Sequence, residues 1–339
     1  MVSTDNIWMY LLELIQSHYN LTTLLLGVAL VIIRQYIREF YKVGGYSQKH
    51  VLITGCDSGF GNLLARQLDS KGFHVIAACL SEKGAADLAA LTSSRLKTVL
   101  LDVTSSESIK KAVEFISGEV GERGLWGLVN NAGRSTPIGP TDWMNIDDFK
   151  KVLDVNLIGV IDVTLQTVPL LKKAQGRVVN VASILGRMSV LSGGYSPAKV
   201  GVEFFSDTLR RDLKAFGVEV SIIEPGFFKT AVTQQDLIEA DLRRLWNRLP
   251  QDVKDLYGPT FVDKYVECQN FNLSMFCSPD ISKVTWCMEH ALTACYPRKR
   301  YSAGWDAKFF WIPLSYLPSL VQDFVVSFLA PLPKVRPNK

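Results

Sequence analysis

Two hydrophobic rhythms alternate along most of the chain. Short apolar runs predict strands at 51–54, 74–78, 97–101, 126–130, 177–182 and 218–223. Between them, apolar residues recur at three- and four-residue spacing and predict helices at 60–71, 83–91, 105–120, 145–173 and 198–216. Strands that are apolar throughout and separated by helices belong in a parallel sheet covered on both faces, so the expected class is α/β and doubly wound.

The rhythm breaks in three places. Residues 21–33 are uncharged and apolar, thirteen in a row, against about 20 for a bilayer span. Extending back to Ser17 places His18 and Asn20 near a membrane surface. No small-residue cleavage site follows, and Arg34, Arg38 and Lys42 come next. Residues 1–45 therefore predict an uncleaved membrane anchor with a basic linker, with a buried helix of the folded domain as the competing reading. Residues 227–297 lose the compact alternation and predict a substrate-covering insertion within a single domain over 46–305, with an edge strand at 299–303. The tail, 306–339, is apolar, aromatic and cut by prolines. It reads either as a helix lying in the membrane interface or as a core element.

Composition adds mainly exclusions. Of 339 residues, 47% are hydrophobic and 21% charged, and the net charge is +4, enough for one or two domains with a substantial core. No basic stripe with interleaved aromatics appears, so nucleic acid is not an expected partner. The six cysteines are scattered without a C-x-x-C pair and read as free thiols. The four histidines lack metal-ligand spacing, and no metal is expected.

The chemistry gathers at strand ends. Gly55, Gly59 and Gly61, with Ser58 and Phe60 among them, fall between the first strand and a helix. A glycine-rich turn there lets backbone approach a pyrophosphate, and the helix N-terminus supplies free N–H groups. Followed by further strand–helix units, it defines a Rossmann-like dinucleotide fold. Asp102 and Val103 end the third strand, where a carboxylate and backbone can hold an adenine. Asn131, Ala132 and Gly133 end the fourth with small groups at the cofactor edge. Asn156 lies in an apolar helical segment and reads as a satisfied core amide or part of a polar relay. Tyr195 and Lys199 are four apart and share a helix face. A phenol beside an ammonium makes a general base, because the cation lowers a pKa that is otherwise about 10. Ser183, on the preceding strand, can bond the same reacting oxygen. Pro225 and Gly226 mark a turn, followed by the hydroxyl of Thr230.

Thr54-Gly55-x-x-x-Gly59-x-Gly61, Asn130-Asn131-Ala132-Gly133, Asn156, Ser183, Tyr195-x-x-x-Lys199 and Pro225-Gly226, in this order, resemble the short-chain dehydrogenases/reductases over about 49–301. The stretches around 55–61, 124–133, 215–220 and 300–310 resemble the microsomal retinol dehydrogenase branch, whose members oxidise retinols and 3α- or 17β-hydroxysteroids. The resemblance implies Tyr195 as the base, Lys199 as its pKa-lowering and ribose-binding partner, and Ser183 as the group orienting substrate beside Tyr195. It implies Asn156 holding a relay water, Asn131 near the adenosine ribose and Thr230 at the carboxamide. The wider cofactor set is Gly55, Ser58, Gly59, Phe60, Gly61, Glu82, Asp102, Val103, Asn131, Ala132, Gly133, Tyr195, Lys199, Pro225, Gly226 and Thr230.

Cofactor choice turns on the end of the second strand, where an acid favours NAD and an arginine NADP. Residues 77–81 offer neither; Glu82 is near the expected distance, with Lys83 beside it. NAD is expected. An NADP-dependent reductase of retinal or another lipid carbonyl is the alternative, and a catalytically silent dinucleotide-binding membrane protein a third, opposed by the complete Ser183, Tyr195, Lys199 and Asn156 set. Expected partners are a lipophilic retinoid or steroid, membrane lipid and a second copy in a homodimer. The expected location is the endoplasmic reticulum membrane. Arg34, Arg38 and Lys42 follow the apolar run, whereas Asp5 and Glu13 precede it, which orients the catalytic domain to the cytosol. A luminal domain is the competing view, and the sequons at Asn20 and Asn272 bear on it.

Overall fold

The computed structural model describes residues 4–190 and 193–329. The end of the apolar tail, from residue 330, lies outside the described residues. The chain divides into two units, Met1–Gly44 with Thr293–Pro297, and Gly45–Leu292 with Arg298–Lys339.

In the first unit, helix α1 (Thr4–Glu39) is unbroken. Its stretch Asn20–Glu39 has a mean hydropathy of 1.6, none of it buried, and is long and apolar enough to cross a bilayer. The sequence suggested extending the apolar run backwards to Ser17. The apolar stretch of the helix instead begins at Asn20 and runs forwards past Arg34 and Arg38 to Glu39. Residues 41–43 pair with 293–295: Val43 N–H donates to Thr293 O (2.8 Å) and Cys295 N–H to Tyr41 O (2.7 Å).

The second unit is built on a seven-stranded sheet, β1 (His50–Thr54), β2 (His74–Cys79), β3 (Leu96–Leu100), β4 (Gly127–Asn130), β5 (Arg177–Val181), β6 (Glu219–Pro225) and β7 (Arg300–Ala303). The order is β3-β2-β1-β4-β5-β6-β7, and every pairing is parallel. The order reverses between β1 and β4, which opens a crevice at their carboxyl ends. All five residues of β1 are buried, with alternate side chains entering opposite layers. Val51 and Ile53 join Leu64 and Leu68 of α2 (Gly59–Ser70) and Met288 and Leu292. Leu52 joins Ile109 and Ile116 of α4 (Ser106–Val120), Leu128 and Val178. Burying each such side chain contributes about 1.5–3 kcal/mol. Between these helices α3 (Glu82–Ala89) begins at Ser81, whose hydroxyl caps Gly84 N–H.

The predicted helix 145–173 is observed as α5 (Ile146–Leu153), a π-turn Asp154–Ile158 and α6 (Gly159–Ala174). The single wide turn leaves the apolar spacing almost unchanged, so periodicity does not reveal it. This stretch is also apolar enough for a span, but Val160, Val163 and Leu171 are spent on the core. Helix α7 (Tyr195–Leu213) begins three residues before the predicted start.

Residues 227–297 do not act as one cover. α8 (Gln235–Asn247), α9 (Gln251–Tyr257) and α10 (Phe261–Phe276) share a separate core around Trp143 with Ile238, Leu242, Leu245 and Tyr265. α11 (Ser282–Thr293) instead packs Val284, Met288 and Leu292 into the layer beside β1. The tail also divides. Ala307, Trp311 and Leu314 are buried against Ile184, Leu185 and Phe276, so 306–314 belongs to the core, including α12 (Ile312–Ser315). Beyond it, α13 (Ser319–Leu329) leaves Leu320 82% and Phe324 74% exposed.

Candidate active site

The glycine turn after β1 is shaped by contacts that exclude a side chain. Gly55 has φ 71° and Gly59 φ 63°, a left-handed conformation that glycine adopts without strain. A Cβ at Gly61 would lie 2.5 Å from Gly55 O and 2.6 Å from Asn131 Nδ2. Ser58 sits at the N-cap of α2 without a side-chain capping bond, which leaves the first-turn N–H groups facing outward for an anion. Phe60 packs edge-on against Phe228. Thr230, next to where a Gly59 side chain would be, opens a 3₁₀ turn and is held by Thr233 through a reciprocal capping box. Pro225 ends β6, and Gly226 leaves room for the Asp306 carboxylate, which accepts Phe227 N–H at 2.9 Å. Such a turn, where a Cβ would fill the space and free N–H groups converge, fits a dinucleotide pyrophosphate.

The other predicted cofactor residues are present at the sheet's carboxyl edge but bond mostly to protein. Asn131 Nδ2 donates to Thr54 O (2.9 Å) and Gly55 O (3.1 Å). Thr54 Oγ1 accepts the N–H groups of Asn131 and Ala132, both at 3.0 Å. These bonds make Asn131 a bracket between β1 and β4. Asp102 accepts from Thr104 N–H and hydroxyl, and Val103 O lies where a side chain at Gly159 would fall. Glu82 opens α3 and is exposed.

The acid at the end of β2 comes from elsewhere. Asp57, inside the glycine turn, accepts Leu80 N–H (2.8 Å), Ser81 N–H (3.0 Å) and the Ser81 hydroxyl (2.7 Å). The acid expected from the strand that ends there is supplied instead by the turn, 24 residues before Ser81. The signal available was a carboxylate in a glycine-rich loop that needs hydrogen-bond donors.

Ser183, Tyr195 and Lys199 converge where β5 gives way to α7. The Tyr195 hydroxyl lies next to Ser183, close enough for the serine to favour its ionised form, and Ser183 Oγ accepts Leu185 N–H at 3.1 Å. Lys199, 4% exposed, donates to Val181 O at 2.8 Å and stands 5.6 Å from the Tyr195 ring centre. Burial pushes Tyr195 up to about 12, with the Ser183 bond pulling the other way. Burial lowers Lys199 to about 8, opposed by the Glu203 charge. Lys199 is not among the groups that shift the phenol; burial dominates Tyr195, and the ammonium donates to Val181 O. Asn156, fully buried in the π-turn, accepts Arg134 N–H (2.8 Å) and donates to Arg134 O (2.7 Å). Its side chain clamps the loop after β4. Gly133 bridges the groups: a Cβ there would lie 3.3 Å from Asn156 Oδ1 and 4.0 Å from Lys199 Nζ.

A parallel sheet with a glycine-lined switch-point crevice, and a serine–tyrosine–lysine cluster at the same edge, defines a dinucleotide-binding oxidoreductase. The family model described as short chain dehydrogenase matches residues 49–240. The chain is 56% identical to retinol dehydrogenase 7 of Rattus norvegicus over 94% of its own length and 96% of the relative's. It is 49% identical to 17-beta-hydroxysteroid dehydrogenase type 6 of Homo sapiens, over 96% and 98%. A crystal structure of a short-chain dehydrogenase from Streptomyces avermitilis shares the fold, with TM-score 0.64, 24% identity, and coverage of 83% of this chain and 96% of that one. This chain belongs to the short-chain dehydrogenase family and binds a nicotinamide dinucleotide.

Proposed function

We propose that this chain is an NAD-dependent dehydrogenase of a lipophilic secondary or allylic alcohol, a retinol or a 3α- or 17β-hydroxysteroid. One observation carries the reading: Ser183, Tyr195 and Lys199 lie together at the carboxyl edge of the sheet in a chain about half identical to a retinol and a hydroxysteroid dehydrogenase. Gly55, Gly59, Gly61 and the first turn of α2 would hold the pyrophosphate. Asp102 and Val103 would face the adenine, and Thr230 and Gly226 the nicotinamide end. The bound dinucleotide supplies the hydride chemistry. The Tyr195 oxygen takes the hydroxyl proton, and Ser183 Oγ holds the same substrate oxygen. Lys199 provides positive charge behind the phenol, and Asn156 keeps the neighbouring loop in place. Proton transfer of this kind contributes about 10²–10⁴-fold.

NAD is favoured by Asp57. Its carboxylate at the end of β2 would repel a 2′-phosphate, and its bonds to Leu80 and Ser81 keep it there. The reductive reading uses the same cluster in reverse, with the Tyr195 hydroxyl donating its proton to a carbonyl oxygen. A panel of retinols and hydroxysteroids with NAD and NADP, on detergent-solubilised protein, separates them. Higher kcat/KM for alcohol oxidation with NAD is expected, with Asp57→Asn narrowing the preference. Faster carbonyl reduction with NADPH would overturn the reading.

α1 is proposed to anchor the chain in the endoplasmic reticulum membrane, with the catalytic unit on the cytosolic side, as the basic residues after the apolar run favour. Asn272 lies inside α10, partly buried, its amide turned to Cys268 at 3.8 Å, so it is a poor glycosylation acceptor in the folded chain. Protease digestion of sealed microsomes is the stronger test. Cleavage of the catalytic unit from outside is expected, and protection would reverse the orientation.

A further inference from the structure

One face of α1 carries Asn20, Leu24, Gly27, Val31, Arg34 and Arg38 at alternating four- and three-residue steps, the spacing that keeps side chains on one side of a helix. Its apolar half is an open notch at Gly27 between Leu24, Val28 and Val31, with the polar Asn20 and Thr23 also in its lining. Nothing lies within 4 Å of the position a Gly27 side chain would take. The basic half borders an open surface depression beside Arg34, Arg38, Tyr41, Cys295 and Tyr296.

The basic depression is arranged for an anion. The Arg38 guanidinium lies 3.8 Å over the Tyr296 ring. Stacking occupies the face of the guanidinium and leaves its in-plane N–H groups to bind a phosphate. Tyr296 is held beside the helix by the pairing of residues 41–43 with 293–295. Among the described residues, no carboxylate forms an ion pair with Arg34 or Arg38. Gly27 and Arg34 are seven residues apart, about 10 Å along the helix axis, the order of separation between upper acyl chain and phosphate in a lipid.

We propose that this face binds one glycerophospholipid, its acyl chain along the Gly27 notch and its phosphodiester between Arg34 and Arg38. The two halves together select this occupant. Free phosphate has use only for the basic depression, and the helix of a second copy has use only for the notch. A phospholipid uses both, in the order in which the helix presents them, and arginines placed just past an apolar span are suited to headgroup phosphates.

Native mass spectrometry of the full chain in dodecyl maltoside tests the proposal with three probes: phosphatidylglycerol, diacylglycerol with the same acyl chains, and inorganic phosphate. One retained phosphatidylglycerol is expected, with diacylglycerol held on the order of tenfold more weakly, as loss of charge-assisted hydrogen bonds predicts. Arg34→Gln with Arg38→Gln, and separately Gly27→Leu, should each reduce phosphatidylglycerol retention by a similar factor while alcohol oxidation is kept. Equal retention of the two lipids, or unchanged retention in the double variant, would overturn the site. Full competition by inorganic phosphate, insensitive to Gly27→Leu, would make it a free-phosphate site. A dimer-to-monomer change in Gly27→Leu with lipid still bound would make the notch a helix seam. Should the double variant fail to accumulate, Arg38→Lys keeps the charge but loses the stacked fork, and unchanged retention in that variant would also refute the proposal.

Discussion

The nucleotide end of the sheet and the helical cover around Trp143 are held together by different physics. At the nucleotide end, backbone meets backbone. Gly61 admits Gly55 O and the Asn131 amide, Thr54 Oγ1 accepts two successive N–H groups, and Asp57 ties the turn to the end of β2. Few residue types satisfy such contacts. The cover is a cluster of rings and aliphatic chains: Trp143 lies 5.1 Å from Trp246, 5.5 Å from Tyr257 and 5.7 Å from Phe261. Many apolar combinations of similar volume fill such a space. The first region therefore tolerates few substitutions, and the second tolerates many apolar ones of similar volume.

The largest expected effect breaks the chemistry while leaving both regions intact. Tyr195→Phe keeps the ring that packs beside Ile184 and Trp311 and removes the proton acceptor. Turnover should fall by about 10²–10⁴-fold, with dinucleotide affinity and melting temperature close to the parent's. Near-normal turnover in steady-state assays would remove Tyr195 from its role. Lys199→Arg should also be severe, since the planar guanidinium cannot replace a compact ammonium bonded to Val181 O.

A pair of substitutions asks whether the two regions are separable. Gly61→Ala puts a methyl against Gly55 O and Asn131 Nδ2, neither of which can yield without opening the β1–β4 bracket. Dinucleotide KM should rise tenfold or more, on the order of a lost charge-assisted contact, and alcohol KM should change little at saturating cofactor. Leu242→Ala, buried beneath Trp143, should cost about 2–5 kcal/mol and alter alcohol KM with little change in dinucleotide KM. If Leu242→Ala shifts both constants equally, the cover and the nucleotide end are one cooperative structure.

The same contrast explains what could be read in advance. Strands and glycine turn were legible because a buried parallel strand is continuously apolar and a pyrophosphate turn needs glycines at fixed steps. Tyr195 and Lys199 were legible from one helical turn of spacing. Asp57 was not, because its partners Leu80 and Ser81 are contributed by another strand end. The Asn156 π-turn was not, because one extra residue in a helix scarcely alters an apolar pattern. The core role of Trp311 was hidden in a tail whose apolar residues serve two ends, with Ala307, Trp311 and Leu314 buried while Phe309, Leu320 and Phe324 are exposed.

The smallest expected effect sharpens the comparison at the back of the catalytic cluster, where a buried carboxyl has no aligned hydrogen-bond donor. Glu203, one helical turn past Lys199, is 3% exposed. It lies 3.0 Å from Arg300, yet neither of its oxygens is aligned for a hydrogen bond. Burial, and then the charge of Glu224, push its carboxyl up to about 8, while Arg300 and Arg187 pull the other way. A carboxyl whose folded pKa is raised contributes stability that is fully present below its unfolded value of 4.5 and is lost as pH rises through about 8. Lys199 acts in the opposite sense, since burial lowers it to about 8. The parent's melting curve mixes the two, and the difference between parent and Glu203→Gln isolates the carboxyl. At pH 5 the variant should melt within a degree or two of the parent, a change of a few tenths of a kcal/mol at most. By pH 9 it should melt higher, because glutamine has no proton to lose. It should also move the alkaline limb of alcohol oxidation to lower pH, because Lys199 loses the negative charge that helps keep it protonated. Parallel melting curves from pH 5 to 9 would mean that Arg300 already holds Glu203 ionised, and that the sheet end buries a settled ion pair instead of a titrating acid.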